Sequence, residues 1–216
     1  MSGLHFGWLL LALNPILLMA MFLVVRSPFT RKADGYTKIA AVLVRGMDRC
    51  SEAIIRTVKW FSLGMVLLTA GLVFGRYVFG VGSLKGQEAV IYLHALLFLL
   101  AGGATLLRGG HVRVDVFFSK LSKRHQAIID FTGTLVFLVP VCLTILVYSQ
   151  SYVALSWQVF EGSPEADGLP WVYLLKTAIP AFAILMLLQG SAQALRAAMV
   201  LSDQPVSEVP PRTEMV

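Results

Sequence analysis

Charged residues are scarce in this chain, and hydrophobic residues are in excess. Only 14% of its 216 residues are Asp, Glu, Lys or Arg, whereas 57% are hydrophobic. Soluble domains average about 25% charged and about 45–50% apolar residues, so a single core of this length cannot bury so much apolar surface. The composition excludes an ordinary soluble domain and predicts an all-α integral membrane protein.

The sequence is also poor in the residues and motifs that build chemical sites. Its two cysteines, Cys50 and Cys142, are too few for a disulfide scaffold or a thiolate metal site, and we expect both to be reduced packing residues. A glycine-rich nucleotide loop, a nucleophile elbow and a zinc-protease helix motif are all missing. Paired, Gly/Pro-interrupted helices of the kind that form transporter substrate sites are missing too. These absences argue against an enzyme and against a substrate site in this chain.

Five apolar stretches are long enough to cross a bilayer as helices, which requires about 20 residues. They are 7–25, 60–79, 89–107, 131–159 and 171–195. The fourth is longer than a span needs, and its polar tail at 148–152 predicts that the helix continues past the membrane boundary into water. We expect Pro140 and Pro180 to kink their helices.

The distribution of basic residues predicts the orientation of these spans. Of the eighteen Lys and Arg residues, segment 26–59 carries eight and segment 108–126 carries five, whereas 160–170 carries three acids and no base. Under the positive-inside rule the basic segments are cytoplasmic, so the N-terminus is outside and the C-terminus inside. Because the bases lie between apolar runs, the net charge of +6 indicates contact with membrane lipids and not with nucleic acid.

The segment 37–59 has the pattern of an amphipathic helix. Ile39, Leu43, Met47, Cys50, Ile54 and Val58 recur at helical spacing on one side, opposite several basic residues. Two interpretations stay open: a helix lying along the inner membrane surface, or a cytoplasmic extension of the second span. After residue 198 the chain becomes polar and proline-rich, which predicts a disordered tail at 199–216.

Histidines are the one feature that raises a cofactor question. Two histidines at matching depth would be needed to hold a haem between helices, but His94 has only the distant His5 on its side of the membrane. We therefore expect no cofactor and interpret His94 as a hydrogen-bonded interior residue. A haem-bearing membrane anchor of a respiratory enzyme is the alternative hypothesis.

Several short stretches resemble the small membrane subunit, DctQ-like, of tripartite ATP-independent periplasmic (TRAP) transporters. They are 75–80 (GRYVFG), 87–88 (QE), 110–116 (GHVRVDV), 156–157 (SW), 161–165 (EGSPE) and 168–171 (GLPW), followed by Lys176 and Pro180. The stretches from 156 onward, up to Lys176 and Pro180, are similar to those of family members associated with 2-oxo acids and related organic acids. The resemblance divides the chain into an extra N-terminal helix and basic connection (1–36), an amphipathic helix (37–59), a four-helix core (60–198) and the tail.

The candidate structural or partner-contact residues in these stretches each have a plain alternative. Arg76 and Tyr77 suit membrane anchoring as well as partner contact, and Glu88 suits a helix N-terminus. A network of His111, Arg113 and Asp115 would tie helix ends together, which we favour, or reach a partner. The acidic outer loop is either a solvated connection or a docking surface. The full set is Arg76, Tyr77, Glu88, His111, Arg113, Asp115, Ser156, Trp157, Glu161, Glu165 and Lys176.

The resemblance implies a function as well as a fold. A TRAP transporter is a sodium-driven secondary transporter of the bacterial inner membrane, in which a periplasmic substrate-binding protein delivers an organic anion to a large membrane subunit. The small subunit packs against the large one as a non-catalytic scaffold. The resemblance thus predicts two protein partners for this chain.

Overall fold

The described part of the chain, residues 35–110 and 118–203 of a computed structural model, is helical throughout its regular structure. Its helices are α1 (Gly35–Val58), α2 (Trp60–Phe79), α3 (Leu84–Leu107), α4 (Lys123–Gly133), α5 (Val139–Gln158) and α6 (Val172–Leu201). A π-helical turn, Thr134–Leu138, joins α4 to α5. The predicted helix at 7–25 and most of the predicted tail lie outside the described residues.

Four helical segments in this part are long and apolar enough to span a membrane. They are Lys38–Phe79, Leu84–Leu107, Lys123–Gln158 and Val172–Leu201. The predicted stretch 60–79 coincides with α2. The helical segments that contain the stretches 89–107, 131–159 and 171–195 each extend several residues beyond the prediction at one end. The all-α membrane class, with four helices able to span a membrane, is therefore confirmed, and the division of the chain into segments stays a prediction.

A glycine ends α2 and fixes the hairpin between α2 and α3. Gly80 adopts φ +67°, and its N–H donates to the carbonyl of Gly75. A residue without Cβ takes this left-handed conformation at little cost, which makes glycine the usual helix stop. Ser83 then begins α3, because its hydroxyl accepts the N–H of Gly86 at 3.1 Å.

Helix α6 is the centre of the bundle and packs against α1, α3, α4 and α5. Close approach to α3 depends on Gly103, where an added Cβ would lie 3.2 Å from the carbonyl oxygen of Leu185; small residues allow such contact between membrane helices. Pro180 lies inside α6, which continues on both sides of it. By contrast, α2 has no buried residue and packs mainly on α3.

The predicted amphipathic helix is present as α1, but its buried face coincides with the predicted apolar stripe only in part, at Met47 and Val58. Ile39 and Leu43 are exposed, whereas Val44 and Met47 are buried against α6. The buried face also carries polar residues that bond to α6, and this turns the predicted apolar stripe partly outward. Cys50 is exposed, so its expected packing role is wrong, while Cys142 is buried as expected; both are free thiols.

The backbone of α1 continues into α2 with little interruption. Lys59 between them has helical φ and ψ of −55° and −28°, and its N–H donates to Ile55 at 3.0 Å. This continuity favours the cytoplasmic-extension interpretation of the segment. The position of α1 relative to the membrane surface stays a prediction.

Candidate functional site

One cluster of polar contacts fastens the connection between α5 and α6 to the start of α3. The Glu88 carboxylate accepts hydrogen bonds from the Ser163 hydroxyl and, at 2.6 Å, from the Leu169 N–H. Gly168 makes this possible, because an added Cβ would overlap Ser163 and lie 2.9 Å from Glu88 Oε1. Glu88 lies near the N-terminus of α3, as the sequence suggests, but the hydroxyl of Ser83 supplies the cap. Glu88 binds the outer loop instead.

A second contact in this cluster joins Glu161 to Lys176. Lys176 Nζ lies 2.5 Å from Glu161 Oε2 and 3.9 Å from the centre of the Tyr152 ring, a cation–π distance. The hydrogen bond from Lys176 lowers the pKa of Glu161, which lies in the loop. Ser156 is buried beside it, and its carbonyl accepts the Glu161 N–H at 3.0 Å. The solvated-connection interpretation therefore does not fit Glu161.

Aromatic side chains hold the end of α5 against the first turns of α6. Trp157 Nε1 donates to the Thr177 hydroxyl at 2.9 Å, and the Trp157 ring meets that of Tyr173 edge to face at 4.8 Å between centroids. Phe160 packs on the other side of Tyr173 at 5.7 Å. Trp157 thus contributes an internal contact, although it is also partly exposed.

The remaining acids of this loop face outward. Asp167 pairs with Lys85 at 2.6 Å, but both side chains are largely exposed, so this ion pair contributes little stability. Glu165 is exposed, and its carboxylate has no ion-pair partner among the described residues. The carboxylates of Glu165 and Asp167 are therefore exposed to a partner, Asp167 through a solvent-exposed ion pair with Lys85, whereas Glu88 and Glu161 are engaged in part-buried contacts within the chain.

The other predicted site residues are dispersed. Arg76 and Tyr77 are exposed at the end of α2, with Tyr77 85% accessible. His111, Arg113 and Asp115 lie outside the described residues, so their network stays a prediction. His94 is exposed on α3, and its expected interior role is wrong.

At the opposite end of the bundle, a buried polar chain links α1 to α6. Arg196 forms an ion pair with Asp48, Gln189 Nε2 donates to Asp48 Oδ1 at 3.1 Å, and the Ser51 hydroxyl donates to Gln189 Oε1 at 2.8 Å. All four residues are buried. Sequence analysis missed this network, which we call the inner clamp.

Two spacings in the sequence would have indicated the inner clamp. Gln189 and Arg196 are seven residues apart, and therefore on one face of a helix, in a stretch of mostly small and apolar residues that also holds Ser191 and Gln193. Asp48 and Ser51 are three apart on α1 and face the same neighbour. Burying a polar side chain in a membrane helix costs free energy unless it finds a hydrogen-bond partner. Here the two residues on α1 and the two on α6 are partners of each other.

Residues 65–199, more than half of the chain, match the family described as tripartite ATP-independent periplasmic transporters, DctQ component. The chain belongs to this family, the small membrane component of TRAP transporters, and the resemblance is confirmed. Neither curated proteins nor solved structures return a match. The family favours the transporter hypothesis over the haem anchor. Of the inner clamp, only Gln189 and Arg196 fall inside the matched region, so α1 is fastened to the family core from outside it.

Proposed function

We propose that this chain is the non-catalytic scaffold of a sodium-driven TRAP transporter that takes up organic acids of the 2-oxo acid or dicarboxylate type. The observation that supports a scaffold is the fastening of the bundle at both ends. The inner clamp holds α1 to α6, while Glu88 and the Glu161–Lys176 pair hold the outer loop to α3 and α6. Such ties oppose relative motion of the helices, which suits a static support.

The surface that we assign to the large membrane subunit is the free side of α2. Its exposed apolar side chains, together with Val90 of α3, line an open groove of about 840 Å³. Ala70 and Gly71 lie on this helix and are exposed, and small residues let the backbone of a neighbouring membrane helix approach closely. The lining includes Met65, Val66, Thr69, Val73, Phe74 and Val78.

For the periplasmic substrate-binding protein we propose a contact with the outer loop. Glu165 and Asp167 are exposed there, and exposed charges of one sign make association faster and salt-dependent. Replacing both by Glu165→Gln and Asp167→Asn is expected to weaken the salt dependence of docking. Unchanged docking kinetics across a salt series would remove this part of the proposal.

We further propose a location in the bacterial inner membrane with the inner clamp facing the cytoplasm. The exposed bases of α1 and α4 lie towards that end, including Arg45, Arg49, Lys123 and Arg124, whereas the acidic loop lies at the other. This distribution agrees with a cytoplasmic excess of Lys and Arg. Lipids of the inner leaflet would then contact these bases.

Reconstitution tests the scaffold role. Liposomes would contain this chain alone, the large subunit alone, or both, and uptake of a labelled organic acid would be followed with binding protein outside and an imposed sodium gradient. We expect uptake only when both subunits and the gradient are present. Uptake by this chain alone would contradict the proposal, and uptake with a potassium gradient of equal size would contradict sodium coupling.

A matched pair of variants tests the surface on α2. Gly71→Leu adds bulk where an added Cβ meets nothing within the chain, so the subunit itself keeps its fold. We expect it to reduce co-purification of the large subunit. Gly46→Leu, equally unobstructed on α1, is the control and is expected to leave co-purification unchanged.

A further inference from the structure

An apolar groove on the surface of the bundle adjoins a basic pocket. The groove has a volume of about 670 Å³ and lies among α3, α4, α5 and α6. The pocket, of about 400 Å³, lies among α3, α4 and α6. Leu106, Asp130 and Gln193 line both, so the groove and the pocket adjoin and together present an apolar and a polar end.

The length of the groove matches a lipid chain. Its lining runs from Ile129 in α4 to Ile145 in α5, a helical distance of about 24 Å at about 1.5 Å per residue. One leaflet of hydrocarbon is about 15 Å thick, half of a core of about 30 Å. The groove is therefore long enough for an acyl chain that lies along the helices.

The charges at the polar end favour an anionic headgroup. Arg108, Lys123 and Arg196 line the pocket. Arg196 is held by Asp48, whereas Arg108 and Lys123 are exposed and have no ion-pair partner in the described part of the chain. The pocket's one lining acid, Asp130, has an interaction of its own. Basic pockets between membrane helices on the cytoplasmic side are suited to acidic lipid headgroups.

We propose that the groove and the adjoining basic pocket together bind one phospholipid with an anionic headgroup. Its phosphate lies between Arg108 and Lys123, and an acyl chain lies in the groove past Gly133. The site uses neither the α2 surface nor the outer loop, so it stands apart from the proposed contacts with the transporter's other components.

Native mass spectrometry of the purified full-length chain in detergent tests the lipid. The probes are phosphatidylglycerol and phosphatidylcholine with the same acyl chains, and inorganic phosphate. We expect about tenfold greater retention of phosphatidylglycerol than of phosphatidylcholine, because Arg108 and Lys123, which have no ion-pair partner among the described residues, would face the headgroup. Equal retention of both lipids would overturn the proposal. Inorganic phosphate is tested by thermal melting of the same protein, and a rise in Tm as large as that caused by phosphatidylglycerol would also overturn it.

Two variants with matched controls separate the headgroup from the chain. Arg108→Gln with Lys123→Gln is expected to reduce phosphatidylglycerol retention to the phosphatidylcholine level, while Arg49→Gln with Arg56→Gln on α1 leaves it unchanged. Gly133→Leu is expected to fill the groove and reduce retention of both lipids, since an added Cβ there meets nothing within 4 Å. Undiminished retention in Gly133→Leu would overturn the groove assignment.

Photo-crosslinking in membranes identifies the occupant of the groove directly. Phe137 lines the groove and is 70% exposed, so a photoreactive phenylalanine analogue fits there. A phospholipid adduct supports the proposal. An adduct to segment 1–34 of this chain, or to another protein, would overturn it.

Discussion

Asp48 and Arg196 are opposite charges buried on two different helices. Each loses hydration there, and each keeps a partner only while α1 lies against α6. Gln189 and Ser51 extend the bonding, so that the Asp48 carboxylate accepts from two side chains. A buried pair of this kind stabilises little compared with an apolar pair, but it strongly penalises any arrangement that separates the partners.

The inner clamp yields a prediction of asymmetric mutational cost. Asp48→Ala leaves Arg196 buried without its counter-charge, and we expect the free energy of unfolding to fall by about 3–5 kcal/mol. The double variant Asp48→Leu with Arg196→Met removes both charges, and we expect a smaller loss. Denaturant titration of the purified protein in detergent measures both. A double variant less stable than Asp48→Ala would contradict the argument.

The Glu161–Lys176 pair yields a prediction of pH dependence. The pKa of Glu161 is lowered from its ordinary value of 4.5 by the hydrogen bond from Lys176. The stabilisation is therefore complete above about pH 4.5 and is lost as pH falls through the lowered pKa. We expect Tm to decline in this acidic range, and Glu161→Gln to decline less steeply.

Glu165→Gln is the matched control for this titration. Glu165 lies in the same loop but has no ion-pair partner in the described part of the chain, so its Tm profile is expected to follow that of the unmodified protein. If Glu161→Gln and Glu165→Gln gave the same profile, the ion pair would not be the source of the acidic decline.

At the scale of elements, the outer loop is a fixed part of the bundle. Its backbone at Leu169 and its side chain at Ser163 both donate to Glu88, and Gly168 lies between them with no space for a side chain. The loop therefore presents its exposed carboxylates from a defined position.

Gly168→Ala is expected to free this loop. The added methyl would overlap Ser163 and crowd Glu88 Oε1, which breaks hydrogen bonds to a carboxylate worth about 1.5–3 kcal/mol each. We expect amide exchange in 159–171 to accelerate by about tenfold or more. Gly82→Ala, where an added Cβ meets nothing within 4 Å, is the control. Equal exchange in the two variants would contradict the role assigned to Gly168.

Hydrophobicity and length predicted the helices, since membrane spans depend on little else. They did not predict which face of α1 is buried. That face is set by Asp48 and Ser51, whose partners Gln189 and Arg196 lie on α6, far away in sequence. The hydrogen bonds of Glu88 to the outer loop were not predicted for a similar reason. A local pattern does not show that a loop about eighty residues away supplies the donors.

At the scale of the whole molecule, the two ends of the bundle differ in charge. The orientation predicted from basic residues places α1 in the cytoplasm and the outer loop in the periplasm. The short stretches that resemble the family, which lie mostly at helix ends and in the outer loop, predicted the family correctly. The surfaces that meet partners have no such pattern, since any apolar helix face suits lipid as well as protein.

Native cysteines test the orientation. Cys50 is exposed on α1 and Cys142 is buried, so a membrane-impermeant maleimide is expected to label Cys50 only after permeabilisation of spheroplasts. A Glu165→Cys variant is expected to react in intact spheroplasts, and Cys50→Ser supplies the background. Labelling of Cys50 before permeabilisation would reverse the assigned topology.

The absence of buried residues on α2 has a consequence for the living cell. If the proposed contact between α2 and the large subunit holds, a chain made in excess of that companion subunit would leave this helix face without its partner. We then expect the steady-state abundance of the chain to follow the supply of the companion. Deleting the companion's coding region while keeping transcription of this one is expected to lower the amount of this protein.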